Sequence, residues 1–510
     1  MRDSLGPARA ERVLAALAEE PAVSVRVNLY KLTLEALRAH FGDLAGDAVA
    51  WAPEEGFYLK ERPSFTLDPL FHAGAYYVQE ASSMYVGGLF DQAVAALGGG
   101  GVSVSASERA ACLRVLDLCA APGGKTTQLL SHLDGASLLV ANEVVPARAT
   151  VLAENVARWG CANVAVTSSD PSAFTPLRNF FDVVVVDAPC SGEGMFRKDE
   201  RAVAEWSPDN VRLCAARQRR ILGDVWPALA PGGFLIYSTC TFNRFEDEDN
   251  VDWICRELGA TCQEMRHFYP GEDRGEGFFA ALLRKTSPEA PARPQNMTGP
   301  VSTIGPQNET GPKATVGPQN ERTGSQRHSV SRKQRFQPDS GTQNGCVILE
   351  AHSVALLKQV SVSLAAALPQ LEKQLRVIAS GVAIATRKGR DLVPEADFAL
   401  AVNRMSLDGL SNRMSLDGLS NRTSLNGQSE HTSLNGQSER TSLNGLSYEI
   451  VEISREDALK FLSKDPLVLP DAPRGYLLLT HAGLGLGFVK NLGTRTNSLL
   501  PSSRRIRQRP

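Results

Sequence analysis

Residues 115–130 read VLDLCAAPGGKTTQLL. A short apolar run ends at Asp117–Leu118, a loop of small residues follows, and a helical pattern begins near Lys125. Gly123 and Gly124 let a ligand approach the backbone closely. The helix start offers N–H groups with no partner inside the helix, which suit a carboxylate or a phosphate. The loop is neither GxxxxGK[ST] nor GxGxxG, so nucleoside-triphosphate and dinucleotide readings fit poorly.

VLDL, ASLLVAN, NVAVTS, FDVVVVDAP and GGFLIYST are five strand candidates, most of them separated by enough chain for a helix. This alternation predicts a parallel sheet covered by helices on both faces. EGFFAALLRK, residues 276–285, is expected as a later edge strand. In an open parallel sheet the carboxyl ends of the strands face one crevice. The loop from Cys119 to Lys125 should therefore meet Glu143, Asp170 and Asp187, which stand at three strand ends. An acidic residue one strand after the loop is where such folds hold ribose hydroxyls.

Nine cysteines, with no CxxC pair, point to reduced thiols and no structural zinc site. Cys112, Cys161, Cys214, Cys255 and Cys262 read as small buried hydrophobes. Cys190 and Cys240 differ, because each lies in a polar loop just beyond a buried strand. Neighbouring strands are about 5 Å apart, so both thiols can face one pocket. Carbon 5 of cytosine is too electron-poor to attack a sulfonium methyl. A thiolate added at carbon 6 makes it nucleophilic, and a carboxylate such as Asp187 can stabilise the charge that develops. The spacing does not rank the two thiols.

The 510-residue length calls for more than one core. A net charge of -2 confines any phosphate-binding surface to local patches, such as the run SSRRIRQRP with Arg504, Arg505, Arg507 and Arg509. No apolar stretch is long enough for a membrane span, and MRDSLGPARAERVLAALAEE reads as an amphipathic helix rather than a secretion signal. Residues 1–110 mix short helical patterns with loops, and 111–285 hold the alternating pattern. Residues 286–345 repeat PQN every twelve positions and read as a disordered linker. In 346–402, AHSVALLKQVSVSLAAALPQLEKQL suggests one or two helices and LRVIASGVAIATRKGR a hairpin. Residues 403–447 carry five copies of a nine-residue unit, read as a disordered repeat, and 448–510 resume globular patterning with a helix and strands.

CAAPGGK, DAPCSGEG and STCT, in that order, resemble the Nop/Sun family of RNA cytosine-5 methyltransferases, and within it the bacterial RsmF-like 16S ribosomal RNA group. SVRVNLYKL, GAYYVQEASSM, ANEVVPARATVLAENVARWG and GEGFFAALLRK extend the likeness. The resemblance implies an α/β, Rossmann-like class I methyltransferase domain with an N-terminal RNA-binding extension. Residues 375–402 resemble the group's first C-terminal domain, and 457–507 its PUA-like RNA-binding domain. Cys119, Ala120, Ala121, Pro122, Gly123, Gly124 and Lys125 would line the S-adenosyl-L-methionine site. Glu143 would take the ribose hydroxyls, Asp170 would sit near the adenine, and Asp187 would lie between cofactor and target base. Cys240 would be the nucleophile and Cys190 would assist product release. The expected partner is structured RNA, either ribosomal or in the small subunit, with tRNA as an alternative. A cytoplasmic, monomeric protein that engages neither DNA nor membrane is implied, with no metal. A ribosome-assembly factor without catalysis is the competing class, but the intact thiols and loop speak against it. A methyltransferase for small molecules or proteins would leave the paired cysteines without a role.

Overall fold

The computed structural model describes residues 5–98, 112–286, 346–351, 356–388, 391–401, 440–443 and 446–508. The expected 286–345 linker falls outside them except for Thr286, as does most of the nine-residue repeat. At its centre is an eight-stranded sheet: β1 (Arg114–Asp117), β2 (Leu138–Asn142), β3 (Val164–Thr167), β4 (Phe181–Asp187), β5 (Leu229–Thr239), β6 (Ala260–Phe268), β7 (Phe278–Lys285) and β8 (Val377–Ser380). Their spatial order is β6-β7-β5-β4-β1-β2-β3-β8. β1 through β5 pair in parallel, while β6, β7 and β8 join antiparallel. The order reverses at β1, placing the cofactor-like loop where ligands bind in open α/β sheets.

The Val183–Val186 run is buried throughout because both faces of β4 are covered. Alternation divides the sheet between two cores. Leu116, Leu138, Val140, Val184 and Leu235 join one cluster, and Val115, Leu139, Ala141, Val183 and Ile236 the other. The covering helices start and stop on sequence signals. α1 (Gly124–His132) follows Gly123, whose φ of 117° belongs to the glycine-favouring region. α2 (Pro146–Trp159) opens on proline and closes on Gly160 at φ 88°. α3 (Pro208–Val225) is capped by Ser207, whose side chain accepts from the Asn210 N–H.

Several expectations change. β7 is not an edge strand, because β6 pairs outside it. LRVIASGVAIATRKGR is not a hairpin: β8 adds to β3, while Val382–Lys388 pairs with Leu356–Ser361 and Asp391–Pro394 in a second sheet. Gly381, at φ 59° between the two strands, sends them to different sheets. The stretch expected to hold one or two helices holds one, Val362–Gln374, preceded by the strand Leu356–Ser361. The last repeat copy contributes Arg440–Leu443, paired with Leu446–Glu452. Residues 23–78 contain a four-stranded sheet (45–48, 56–59, 23–27 and 76–78) where helical patterns and loops were expected. The N-terminal helix is present as Pro7–Ala16.

The C-terminal sheet, with Arg455–Ser463 as its helix, packs on this N-terminal sheet. Val25, Phe57 and Tyr76 share one cluster with Phe461, Leu462 and Leu479. The arginine run is partly committed here: Arg504 pairs with Asp397, and Arg505 Nε donates to the Ser463 carbonyl at 2.8 Å. Arg507 is exposed and Arg509 lies outside the described residues. No helix among the described residues is long and apolar enough to cross a membrane.

Candidate active site

The loop after β1 is tied down from three sides. The Asn142 side chain donates to the carbonyls of Leu118 and Ser169, at 3.1 and 3.0 Å, coupling the ends of β1, β2 and β3. Arg148 donates to the Ala121 carbonyl at 2.9 Å and pairs with Glu143 at 3.2 Å. Asn155 donates to the Pro122 carbonyl at 2.8 Å. Arg26, fully buried, donates to Thr127 Oγ1 at 2.6 Å and to the Gly124 carbonyl at 3.3 Å. The N-terminal sheet thus holds the first turn of α1.

Lys125 Nζ meets Asp187 Oδ2 at 2.9 Å, while Asp187 Oδ1 accepts from Ser238 Oγ at 2.8 Å. Asp187 therefore bridges the glycine loop and the strand that leads to Cys240. Glu143 is almost fully buried, and its Oε1 accepts from the Val145 N–H at 2.9 Å. Asp170 stands at the same sheet edge but turns away, capping Ser172 at 3.0 Å and pairing with Arg220 at 3.6 Å. Cys119 is a protonated thiol, since burial and the charges of Asp117, Asp187 and Glu143 all push its pKa up.

Asp117 was passed over in the sequence as the last strand residue. It is fully buried, accepts from Thr126 Oγ1 at 2.6 Å and leaves Oδ1 without a hydrogen-bond partner. Burial, joined by the charges of Asp187 and Glu143, pushes its pKa up to about 7. A cluster of three carboxylates favours a positively charged ligand.

Cys190 Sγ and Cys240 Sγ lie 3.1 Å apart, within hydrogen-bond distance. The bond to Cys240, followed by burial, raises the Cys190 pKa well above that of an ordinary thiol. Cys190 therefore keeps its proton and can donate it to the neighbouring sulfur. Of the other cysteines, Cys214 is buried, Cys161 and Cys255 are partly covered, and Cys112 and Cys262 are exposed, contrary to the expectation of burial.

Residues without a motif of their own hold the thiol loops in register. Glu246 accepts from the Ser191 N–H at 2.9 Å, from Asn243 at 2.8 Å and from Gln218 at 2.8 Å. Glu193 accepts from Thr241 Oγ1 at 2.6 Å, the Phe242 N–H at 3.0 Å and Trp206 at 3.0 Å. Gly194 donates its N–H to the Cys240 carbonyl at 2.8 Å, and a Cβ there would fall 2.1 Å from the Gly277 carbonyl oxygen. Acidic residues after each cysteine were the only sequence signal for this network, and their partners are distant in the chain.

Three family models match the chain. Residues 108–284 match the 16S rRNA methyltransferase RsmB/F model, residues 1–81 the N-terminal domain of 16S rRNA methyltransferase RsmF, and residues 448–506 the methyltransferase RsmF PUA domain. A ribosomal RNA small subunit methyltransferase F from Pectobacterium carotovorum is 36% identical over 296 residues, covering 52% of this chain and 57% of the relative. Its counterpart from Escherichia fergusonii is 38% identical over 299 residues, covering 53% and 58%. The chain thus spans less than two thirds of these relatives' length. A solved methyltransferase homolog from Pyrococcus horikoshii is 28% identical, with a TM-score of 0.46, over 55% of this chain and 92% of that one. With its sheet order, its glycine loop and the three matched segments in sequence, the chain is recognised as RsmF-like over residues 1–81, 108–284 and 448–506, its central part matching the RsmB/F methyltransferase model.

Proposed function

We propose that the protein transfers a methyl group from S-adenosyl-L-methionine to carbon 5 of a cytosine in 16S ribosomal RNA, through a covalent bond between Cys240 and carbon 6. The observation that carries this reading is the 3.1 Å contact between the thiols of Cys190 and Cys240, at neighbouring strand ends beside the Lys125–Asp187 pair.

The residues fit the cofactor. The carboxylates of Asp117, Glu143 and Asp187 complement a molecule bearing a sulfonium and an ammonium group. The loop Cys119–Lys125 and Glu143 would hold it, with Asp170 at the same edge in a more exposed position. When bound, S-adenosyl-L-methionine supplies an electrophilic methyl group.

The chain's own residues do the remaining work. Cys240, as thiolate, adds to carbon 6 of an unstacked cytosine, and the electron pair of the 5,6 double bond moves toward the base. Lys125 and Ser238 fix the Asp187 carboxylate, which would accept from the exocyclic amino group of the cytosine and orient the base, while Lys125 offers the positive charge that the electron-rich adduct needs. Once carbon 5 is methylated, its proton leaves to a base, the double bond re-forms and the Cys240 thiolate is expelled. Cys190, held protonated next to Cys240, can protonate the departing sulfur. This gives the two thiols separate roles, attack and release.

The test incubates the variants with a 16S rRNA fragment and cofactor and resolves them on a denaturing gel. Cys190→Ala should accumulate a protein–RNA adduct, and Cys240→Ala should form none while still binding cofactor. Normal turnover by Cys190→Ala, with the adduct on Cys240→Ala instead, reverses the roles. Bisulfite sequencing of 16S rRNA from a deletion strain tests the substrate, since every cytosine mark remaining in place would reject it.

A further inference from the structure

Just beyond the Cys240 loop, three donor side chains come close together, apart from the two thiols and the glycine loop. Asp247 precedes the short helix Glu248–Trp253, Glu248 begins it, and His267 projects from β6. One ligand-type atom from each lies within 4.8 Å of the others. His267 Nε2 meets Glu248 Oε1 at 3.0 Å, while His267 Nδ1 and Asp247 Oδ2 stand 3.9 Å apart.

An acidic cluster alone would carry nothing, but the unmet hydrogen-bonding capacity points further. Asp247 Oδ2, Glu248 Oε2 and His267 Nδ1 are all buried without a hydrogen-bond partner. The Asp247 side chain is 0% exposed, and its other oxygen accepts from Thr239 Oγ1 at 2.6 Å. A gap of 3.9 Å is too long for a proton to bridge as a hydrogen bond. The room this leaves fits an ion held by one ring nitrogen and one oxygen from each carboxylate, since such atoms of the three residues lie within 4.8 Å of one another. Two further carboxylates, Glu246 and Glu193, lie close enough to add negative charge around Asp247. Nearby Arg244 is turned to Asp249 at 2.8 Å. The His267 ring is fixed by stacking on Tyr269 at 5.2 Å and by contact with Phe279 at 4.6 Å. Glu248, 35% exposed, gives an ion a way in from solvent.

We propose that Asp247, Glu248 and His267 form a divalent cation site that braces the strand end carrying Cys240. One imidazole with two carboxylates selects a first-row transition ion such as zinc, manganese or iron(II) over magnesium or calcium. Bound there, the ion neutralises the buried carboxylate and, through Thr239, fixes the residue before Cys240. This requires no methyl transfer and stands apart from the proposed reaction.

Cobalt(II) added to the chelator-treated full chain provides the test, because its spectrum distinguishes nitrogen and oxygen ligands from sulfur. One equivalent should bind with visible d–d bands and no sulfur-to-cobalt band in the near ultraviolet, and thermal stability should rise. Glu248→Gln and His267→Gln should each weaken binding at least ~10-fold, as loss of a site-defining group does. His267 is packed among aromatics, so if that variant fails to fold, Glu248→Gln at the solvent side decides. No uptake by the parent chain, uptake unchanged in Glu248→Gln, or a sulfur band showing capture by the thiols would each overturn the site.

Discussion

Asp117 shows how a residue can sit in a motif and escape notice. Its carboxyl is raised from 3.8 to about 7, so the folded chain holds that proton more tightly than the unfolded chain does. The stability tied to this proton is present below pH 3.8 and is lost as pH rises through about 7. Asp117→Asn keeps an acceptor for Thr126 and removes the charge. Chemical unfolding should find this variant gaining on the parent between pH 5 and pH 8, by on the order of 3 kcal/mol. A constant difference across that range would refute the assignment of the proton to Asp117. The glycine loop, the strand-end carboxylates and the closeness of Cys190 and Cys240 were legible in the sequence, because each follows a strongly apolar strand. The roles of Glu193, Glu246 and Asp117 were not, since burial and partners far along the chain create them.

Among the elements, β8 is the one whose partner could not be read. VIAS is a short apolar run, and periodicity alone does not say which edge such a run will join. The five parallel strands were legible for the opposite reason: length, Val-rich composition and helical spacers agreed. Gly381 decides where β8 ends, with its N–H bonded to the Val164 carbonyl at 2.9 Å. A Cβ at Gly381 would lie 2.2 Å from the Gln359 carbonyl oxygen, at a φ of 59° that side chains rarely adopt. Gly381→Ala should therefore cost about 2–3 kcal/mol. Hydrogen exchange should show faster exchange at β3 amides in this variant, while β4 amides keep their protection. Unchanged rates at Val164–Thr167 would mean that β8 does not guard that edge.

At the scale of the molecule, the sequence suggested domains in series on flexible tethers, whereas the described parts share cores. Leu364 and Leu371 of helix Val362–Gln374 lie in the same cluster as β1, β4 and β5. Removing everything after residue 286 would bare this cluster as well as the one shared by the N-terminal and C-terminal sheets. The truncated chain should unfold at a markedly lower temperature than the parent, and Leu371→Ala alone should cost about 2–4 kcal/mol. Equal melting temperatures for parent and truncation would contradict the shared cores. Loss of RNA affinity on truncation would accordingly report a damaged fold as much as a missing RNA contact.

The mixed cluster of Phe57, Tyr76, Phe461 and Leu479 also bears on synthesis. A nascent chain leaving the ribosome exposes Val25, Phe57 and Tyr76 well before their apolar partners Phe461, Leu462 and Leu479 are made. This sheet must therefore wait, bare or chaperoned, until the chain through Leu479 has been made. A premature stop ahead of Phe461 would leave that apolar surface without its cover.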